Sequence, residues 1–343
     1  MTYSGEGGCL TGIHSEEQFS APVIALSGGV GGAKLVLGLT RVMDPASLAV
    51  VANTGDDFDH LGLRVCPDID TLVYTLSGLS NPETGWGRKG ESGHFMDVLT
   101  ELREETWFFL GDKDMAMHVA RTRRLALGQR LSEVTRDVCE SLGLKVRILP
   151  MSDDSVATLV ETESGLLPFQ HYFVRDRCAP RVRGFQFDGA AKAAPNPAFL
   201  DALADRQLRA VIIAPSNPFI SIDPILALPG VRSALRDCAA PVVAVTPIVR
   251  GEAIKGPTAK MMRELNIDTT AVAVARHYED IIDGFILDST DADIVPQVEA
   301  LGVATIATNT VMDSLDDRVM LARDVLEFCH EISPPTGDRH TSP

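Results

Sequence analysis

The chain has 343 residues, with 47 acidic against 31 basic side chains and a formal net charge of -16. A surface this acidic argues against nucleic acid as a partner, because phosphate contacts need Lys and Arg. Hydrophobic content of 45% with 6% aromatics fits an α/β protein able to bury a sizeable core, and no stretch approaches the length of a membrane span.

Residues 1–20 are glycine-rich and polar, without the basic start and apolar core of a signal peptide. They are expected to form a flexible tail, as are residues 331–343, around one domain at 21–330. Six cysteines (Cys9, Cys66, Cys139, Cys178, Cys238 and Cys329) are scattered without metal-ligand spacing. They read as reduced thiols of a cytoplasmic protein.

The segment Val23 to Ser27 is apolar and runs into Gly28-Gly29-Val30-Gly31-Gly32-Ala33-Lys34, followed by an amphipathic stretch to Val42. That is the order strand, tight turn, helix. Glycines there allow positive φ and close approach of a ligand, and the helix amides favour an anion. It is not a P-loop, since Lys34 comes too early and no Ser or Thr follows it. A second strand, Leu48 to Ala52, ends in Asn53-Thr54-Gly55-Asp56-Asp57. Two polar loops are thereby expected at one sheet edge, where open α/β sheets bind ligands.

Asp56, Asp57, Asp59, Asp68 and Asp70 fall within fifteen residues. Carboxylates gathered beside an anion loop are costly without a cation, and a hard divalent cation satisfies both carboxylate and phosphate oxygens. A solvated acidic face is the alternative. Asp68 also suits the cap of the helix carrying Leu72, Val73 and Leu76. Residues 78–95 form a loop rich in Gly, Asn and Ser, with Trp86 between two glycines. A large aromatic there can stack on a flat ligand or pin the loop.

A helix is expected over Phe95 to Leu102, then a strand over Trp107 to Leu110 ending in Gly111-Asp112-Lys113-Asp114. The helix beginning near Met115 puts His118 one turn from Asp114. His118, Arg121, Arg123 and Arg124 form either a solvated helix face or a polyanion site. Ser132 reads as the cap of a further helix, and Val146 to Leu149 as a strand. Thr158 to Thr162 turns at Glu163-Ser164-Gly165 into an antiparallel hairpin, so a smaller α+β region is expected at about 155–200. Strands at Ala210 to Ile213, Val242 to Val245, Ala271 to Val274, Gly284 to Leu287 and Ala304 to Ala307 follow. The turn-rich loop Gly251 to Thr258 holds Lys255, and Asp317 to Cys329 closes the chain as a helix. Strand after strand ends in a polar loop. The fold class is therefore α/β: a Rossmann-like, mostly parallel sheet with helices on both faces, plus the inserted region.

Six stretches together carry a resemblance: Ser27 to Lys34, Asn53 to Asp57, Pro67-Asp68-Ile69-Asp70-Thr71, Gly111 to Asp114, Leu149 to Asp154 and Pro215-Ser216-Asn217-Pro218. In this order the chain resembles the 2-phospho-L-lactate transferases of coenzyme F420 biosynthesis, over about residues 22–330. One departure is Lys113, where the family usually has Arg. Lys keeps the charge and loses the bidentate fork.

The resemblance implies an enzyme that moves a phospho-(three-carbon acid) unit, whether phospholactyl, enolpyruvyl phosphate or phosphoglyceryl. The donor is a guanosine diphosphate adduct, the acceptor is the hydroxyl of the deazaflavin Fo, and GMP leaves. It further implies Mg²⁺ as cofactor and a homodimer. On that basis Mg²⁺ falls to Asp57 and Asp70 with Asp68 assisting. The donor side falls to Gly28, Gly29, Gly31, Gly32, Lys34, Asn53, Ser216 and Asn217. Trp86 covers Fo, Asp70 and Asp112 meet its hydroxyls, and Lys113 offsets charge on the transferring group. Two other readings compete. One is a nucleotide-sugar binder like the gluconeogenesis-linked relatives of this family. The other is an NAD(P)-dependent oxidoreductase, with Asp56 or Asp57 lying at roughly the distance beyond the glycines at which a ribose is held.

Overall fold

The computed structural model describes residues 22–83 and 85–332. The expected tail at 1–20 lies outside them, as does nearly all of that at 331–343, since the last helix runs to Glu331. Among the described residues no helix is long and apolar enough to cross a membrane.

Seven parallel strands form the central sheet: β1 (Val23–Ser27), β2 (Leu48–Ala52), β3 (Arg147–Pro150), β4 (Ala210–Ile213), β5 (Val242–Val245), β6 (Gly284–Asp288) and β7 (Ala304–Thr308). Their order across the sheet is β7-β6-β5-β4-β1-β2-β3, and every pairing is parallel. β1, β2, β4, β5 and β6 are buried along their whole length. That is why they read as continuous apolar runs: a parallel sheet is covered on both faces. Alternation inside β1 shows the two faces. Val23 and Ala25 join one core, with helix α1 (Gly29–Val42), helix α2 (Pro67–Leu76) and the C-terminal helix Leu315–Glu331. Ile24 and Leu26 join the other, with the helices Pro197–Ala204, Val231–Asp237 and Ala271–Tyr278.

Strand order reverses between β1 and β4, so the loops after these two strands diverge and leave a crevice. A short ribbon, Phe58–His60 with Leu63–Val65, rises beside it. Helices α3 (His94–Glu101), α4 (Asp112–Ala126) and α5 (Leu131–Ser141) lie between β2 and β3 in sequence. The inserted region is a three-stranded antiparallel sheet, Gly165–Pro168, Ala157–Thr162 and Val182–Asp188, with Ala157–Thr162 in the middle.

Four local expectations are corrected. Ala271 to Val274 is helical: Ala271, Val274, Ala275 and Tyr278 are the buried positions, a helical spacing, and Thr270 caps the helix by accepting from the Ala273 amide at 3.1 Å. The alternating Ala-Val composition fits both periods and misled the strand reading. Trp107 to Leu110 forms no strand, because its aromatics pack into a cluster with Phe58 and His60 instead. Ser132 is not a cap. Its amide and hydroxyl both donate to Asp153, and the helix begins one residue earlier. Asp68 is not the cap of α2 either. Pro67 opens that helix after Cys66, and the Asp68 carboxylate accepts bonds from another loop.

Candidate active site

The crevice is built first from the glycine loop. Gly28 is extended, Gly29 takes φ of 67°, and α1 starts there. The Ser216 hydroxyl, after β4, accepts from the Gly28 amide at 3.2 Å and donates to its carbonyl at 2.8 Å. A Cβ at Gly31 would collide with the carbonyl oxygen of Pro215. Glycine here serves close approach of two backbones across the switch point. Asn217 caps the next turn by accepting from the Phe219 amide at 3.0 Å.

The carboxylates come from the loop after β2 and the start of α2. Asp68 accepts from the Gly29 amide at 2.7 Å and from Asn53 Nδ2 at 2.9 Å. Asn53 also donates to the Ile220 carbonyl at 3.1 Å and accepts from Gly55 at 2.8 Å, so it ties three loops together. Burial pushes the Asp68 carboxyl up to about 6 against those donors. Asp57 is pushed up to about 7 by burial, although Arg64 stands 3.7 Å away. Neither Asp57 oxygen has a hydrogen-bond partner among the described residues, and Oδ1 of Asp56 is likewise orphaned. Burial first, and then the neighbouring Asp68 charge, raises Asp56 well above the ordinary carboxylate range.

Asp70 is locked differently. Arg121, from α4, grips it through both terminal nitrogens, Nη1 to Oδ2 at 3.0 Å and Nη2 to Oδ1. His118 stands between Asp70 at 3.8 Å and Asp114 at 3.4 Å, and the Tyr74 hydroxyl donates to Asp114. Burial pushes Asp114 up, but His118 and the Tyr74 hydroxyl leave it below the ordinary range. The i,i+4 spacing of Asp114 and His118 is what places both on one face of α4.

These groups line a cleft of about 680 Å³. One wall is carboxylate: Asp56, Asp68, Asp70 and Asp114. A second is aromatic: Trp86, Trp107, Phe108 and Phe109 with Phe169 and Phe173 of the inserted region. The glycine loop, Ser216 and Asn217 form the floor, with Lys34 and Lys255 beyond.

Of the residues expected from sequence, Gly28, Gly29, Gly31, Lys34, Asp68, Asp70, Trp86, Ser216 and Asn217 line this cleft. Gly32, Asn53, Asp57, Asp112 and Lys113 do not. Asp112 accepts from the Ser92 hydroxyl and the Phe95 amide, holding α3 to the start of α4. Lys113 is exposed, with Nζ donating to the Gly90 carbonyl at 2.6 Å. Asp56 belonged to the carboxylate cluster and His118 to the positive group in the sequence, without a place in the predicted site, and Asp114 and the aromatics of the inserted region had no predicted site role. The Asp114–His118 spacing was visible there; the approach of Phe169 and Phe173 had no sequence signal.

The donor set fits a divalent cation. Asp70, Asp114 and His118 each offer one ligand atom, all within 4.8 Å of one another. The orphaned Asp56 oxygen lies on the same wall. An all-oxygen set suits Mg²⁺, whereas the imidazole extends the choice to softer divalent ions.

Residues 23–323 match the family model described as 2-phospho-L-lactate transferase CofD. A Streptomyces griseus protein named phosphoenolpyruvate transferase is 40% identical over 316 residues, covering 90% of this chain and 99% of that one. A Methanocaldococcus jannaschii protein named 2-phospho-L-lactate transferase is 36% identical over 311 residues, covering 90% and 98%. Among solved structures, a Bacillus halodurans protein of the upf0052 family superposes with a TM-score of 0.58 at 15% identity, covering 90% and 99%. That last likeness is one of fold.

Proposed function

The chain belongs to the 2-phospho-L-lactate transferase CofD family, a family of phospho-(three-carbon acid) transferases, and we propose that its donor is a guanosine diphosphate adduct and its acceptor the deazaflavin Fo. The observation that carries this reading is one cleft with two unlike halves. A floor at the start of α1, of glycines without side chains and short polar groups, suits a diphosphate. An aromatic wall suits a flat, largely apolar ring system. Several relatives carry the name phosphoenolpyruvate transferase, so the enolpyruvyl adduct is the first donor to test.

In this reading the oxygen of the acceptor hydroxyl bonds to the phosphorus that carries the acid, and the bond from that phosphorus to the GMP oxygen breaks. Phosphoryl transfer asks the protein for placement and charge, not for a covalent partner. The α1 amides and Ser216 hold the donor. Trp86, Trp107 and Phe108 orient the acceptor ring. Asp70, fixed by Arg121, points the hydroxyl and takes its proton late in transfer. Asp70, Asp114 and His118, with Asp68 and Asp56 on the same wall of the cleft, would hold Mg²⁺, and the ion would supply charge neutralisation for the diphosphate. Asp57 backs this wall from its place against Arg64. Lys113 acts on the loop 85–90 through the Gly90 carbonyl. The enzyme is further proposed to work in the cytoplasm as a homodimer.

The test is binding of GDP and of Fo, each alone, by calorimetry. Both are expected to bind, with Mg²⁺ strengthening GDP. Absence of Fo binding overturns the acceptor assignment.

A further inference from the structure

The loop Gly251–Pro257 lines the cleft through Ile254, Lys255, Gly256 and Pro257. It leaves the small ribbon Ile248–Val249 and Glu252–Ala253 and enters the helix Thr258–Glu264. Its Lys255 reaches across to the first turn of α1. A Cβ at Gly85 would lie 3.0 Å from Lys255 Nζ and 3.3 Å from Cγ1 of Val30. The ammonium, the first turn of α1 and the loop carrying Trp86 therefore meet at one point.

Lys34, one turn further along α1, donates to the Met312 carbonyl at 2.6 Å. Burial, then Arg318 and Lys255, holds its ammonium below the ordinary lysine range, with Asp313 and Asp317 pulling the other way. Arg318 and Lys255 thus both lie within electrostatic reach of Lys34. Among the described residues Lys255 has no hydrogen-bond or ion-pair partner, and the buried Nε of Arg318 has no hydrogen-bond partner. Cations gathered in this way repel unless an anion joins them. Asp313 and Asp317 act on Lys34, whereas no carboxylate pairs with Lys255 among the described residues, so its ammonium is open to an anionic ligand in the cleft.

We propose that Lys255 is a binding residue for an oxyanion of the guanosine-linked donor, acting beside Lys34 and the first turn of α1. The inference rests on the donor named above. Phosphate and carboxylate oxygens are alike to an ammonium, and the donor carries both.

The experiment compares the wild type with Lys255→Met and Lys255→Arg, using GDP and the enolpyruvyl adduct of GDP as probes. Lys255 is exposed, so the Met variant is expected to fold, and unchanged thermal unfolding checks this. Loss of one charge-assisted hydrogen bond corresponds to a weakening of about tenfold or more. Weakening of both probes assigns the oxyanion to a phosphate. Weakening of the adduct alone assigns it to the carboxylate of the acid. Lys255→Arg keeps the charge and is expected to restore most of the affinity. Wild-type affinity of Lys255→Met for both probes overturns the proposal and leaves the proposed function standing. Failure of the wild type to bind GDP overturns both.

Discussion

Arg121 and Asp70 face each other as a buried, two-pronged pair joining α4 to the first turn of α2. Taken from sequence, Arg121 belonged to a positive cluster suited to a polyanion. In the fold it is committed to one carboxylate, which also holds that carboxylate in a single orientation toward the cleft. Breaking such a pair from one side leaves an unpaired buried charge, typically at about 3–5 kcal/mol. Arg121→Met is therefore expected to lose stability on that order in urea unfolding. Arg121→Lys, without the fork, is expected to lose less. Adding Asp70→Asn to Arg121→Met should recover part of the loss; no recovery means the pair is not the source.

Gly31 stands against the Pro215 carbonyl. Gly31→Val must push the two backbones of the switch point apart, since neither neighbour is a flexible side-chain end. The expected outcome is GDP affinity lowered by about tenfold or more, the equivalent of about 1.4 kcal/mol, in a protein whose circular dichroism is retained. GDP titration checks it, and unchanged affinity removes the glycine floor from the donor site.

Burial pushes Asp57 up to about 7, against an unfolded value of about 3.9. Between those values the folded chain holds a proton that the unfolded chain has released. This carboxyl therefore favours folding at low pH, and its contribution is lost as pH rises through 7. Asp68, pushed up to about 6, acts in the same direction. Urea unfolding in EDTA should show stability falling from pH 5 to pH 8. Asp57→Asn should flatten that fall, and an unchanged slope would mean that Asp57 titrates normally.

Trp86 is 53% exposed and Trp107 is half-buried, and both line the cleft. These are the two tryptophans of the chain, so Fo is expected to quench most of its indole fluorescence. Trp107→Phe and Trp86→Ala should each raise KM for Fo while sparing KM for the donor. Lys113→Ala should act only through the loop that Lys113 holds, raising KM for Fo modestly and leaving kcat within about threefold, under 1 kcal/mol. A large loss of kcat would return Lys113 to the reacting groups.

The sheet was readable because parallel strands buried on both faces leave unbroken runs such as Val23 to Ser27 and Val242 to Val245. The glycine loop and its partner Ser216 were readable because their chemistry is local. Helix Ala271–Tyr278 was not, since four alternating small apolar residues fit either period. The site was half readable. Carboxylates could be found in the sequence, but not which ones Arg64, Arg121 or Asn53 would occupy. For Arg121 that depends on α4 meeting α2, a contact between residues more than fifty positions apart. The aromatic wall depends on the inserted region folding back over Trp107, as in the edge-on contact of Trp107 with His171 at 4.9 Å.

The central claim is one transfer in one cleft, from a guanosine diphosphate adduct to Fo. The direct measurement is product mass after incubation with Fo, Mg²⁺ and, separately, the enolpyruvyl, phospholactyl and phosphoglyceryl adducts of GDP. The expected result is a product heavier than Fo by one phospho-acid unit, with GMP released in equal amount, fastest from the enolpyruvyl adduct, and abolished by EDTA. Intact donor and unmodified Fo with all three adducts, in a protein that binds both, would contradict it.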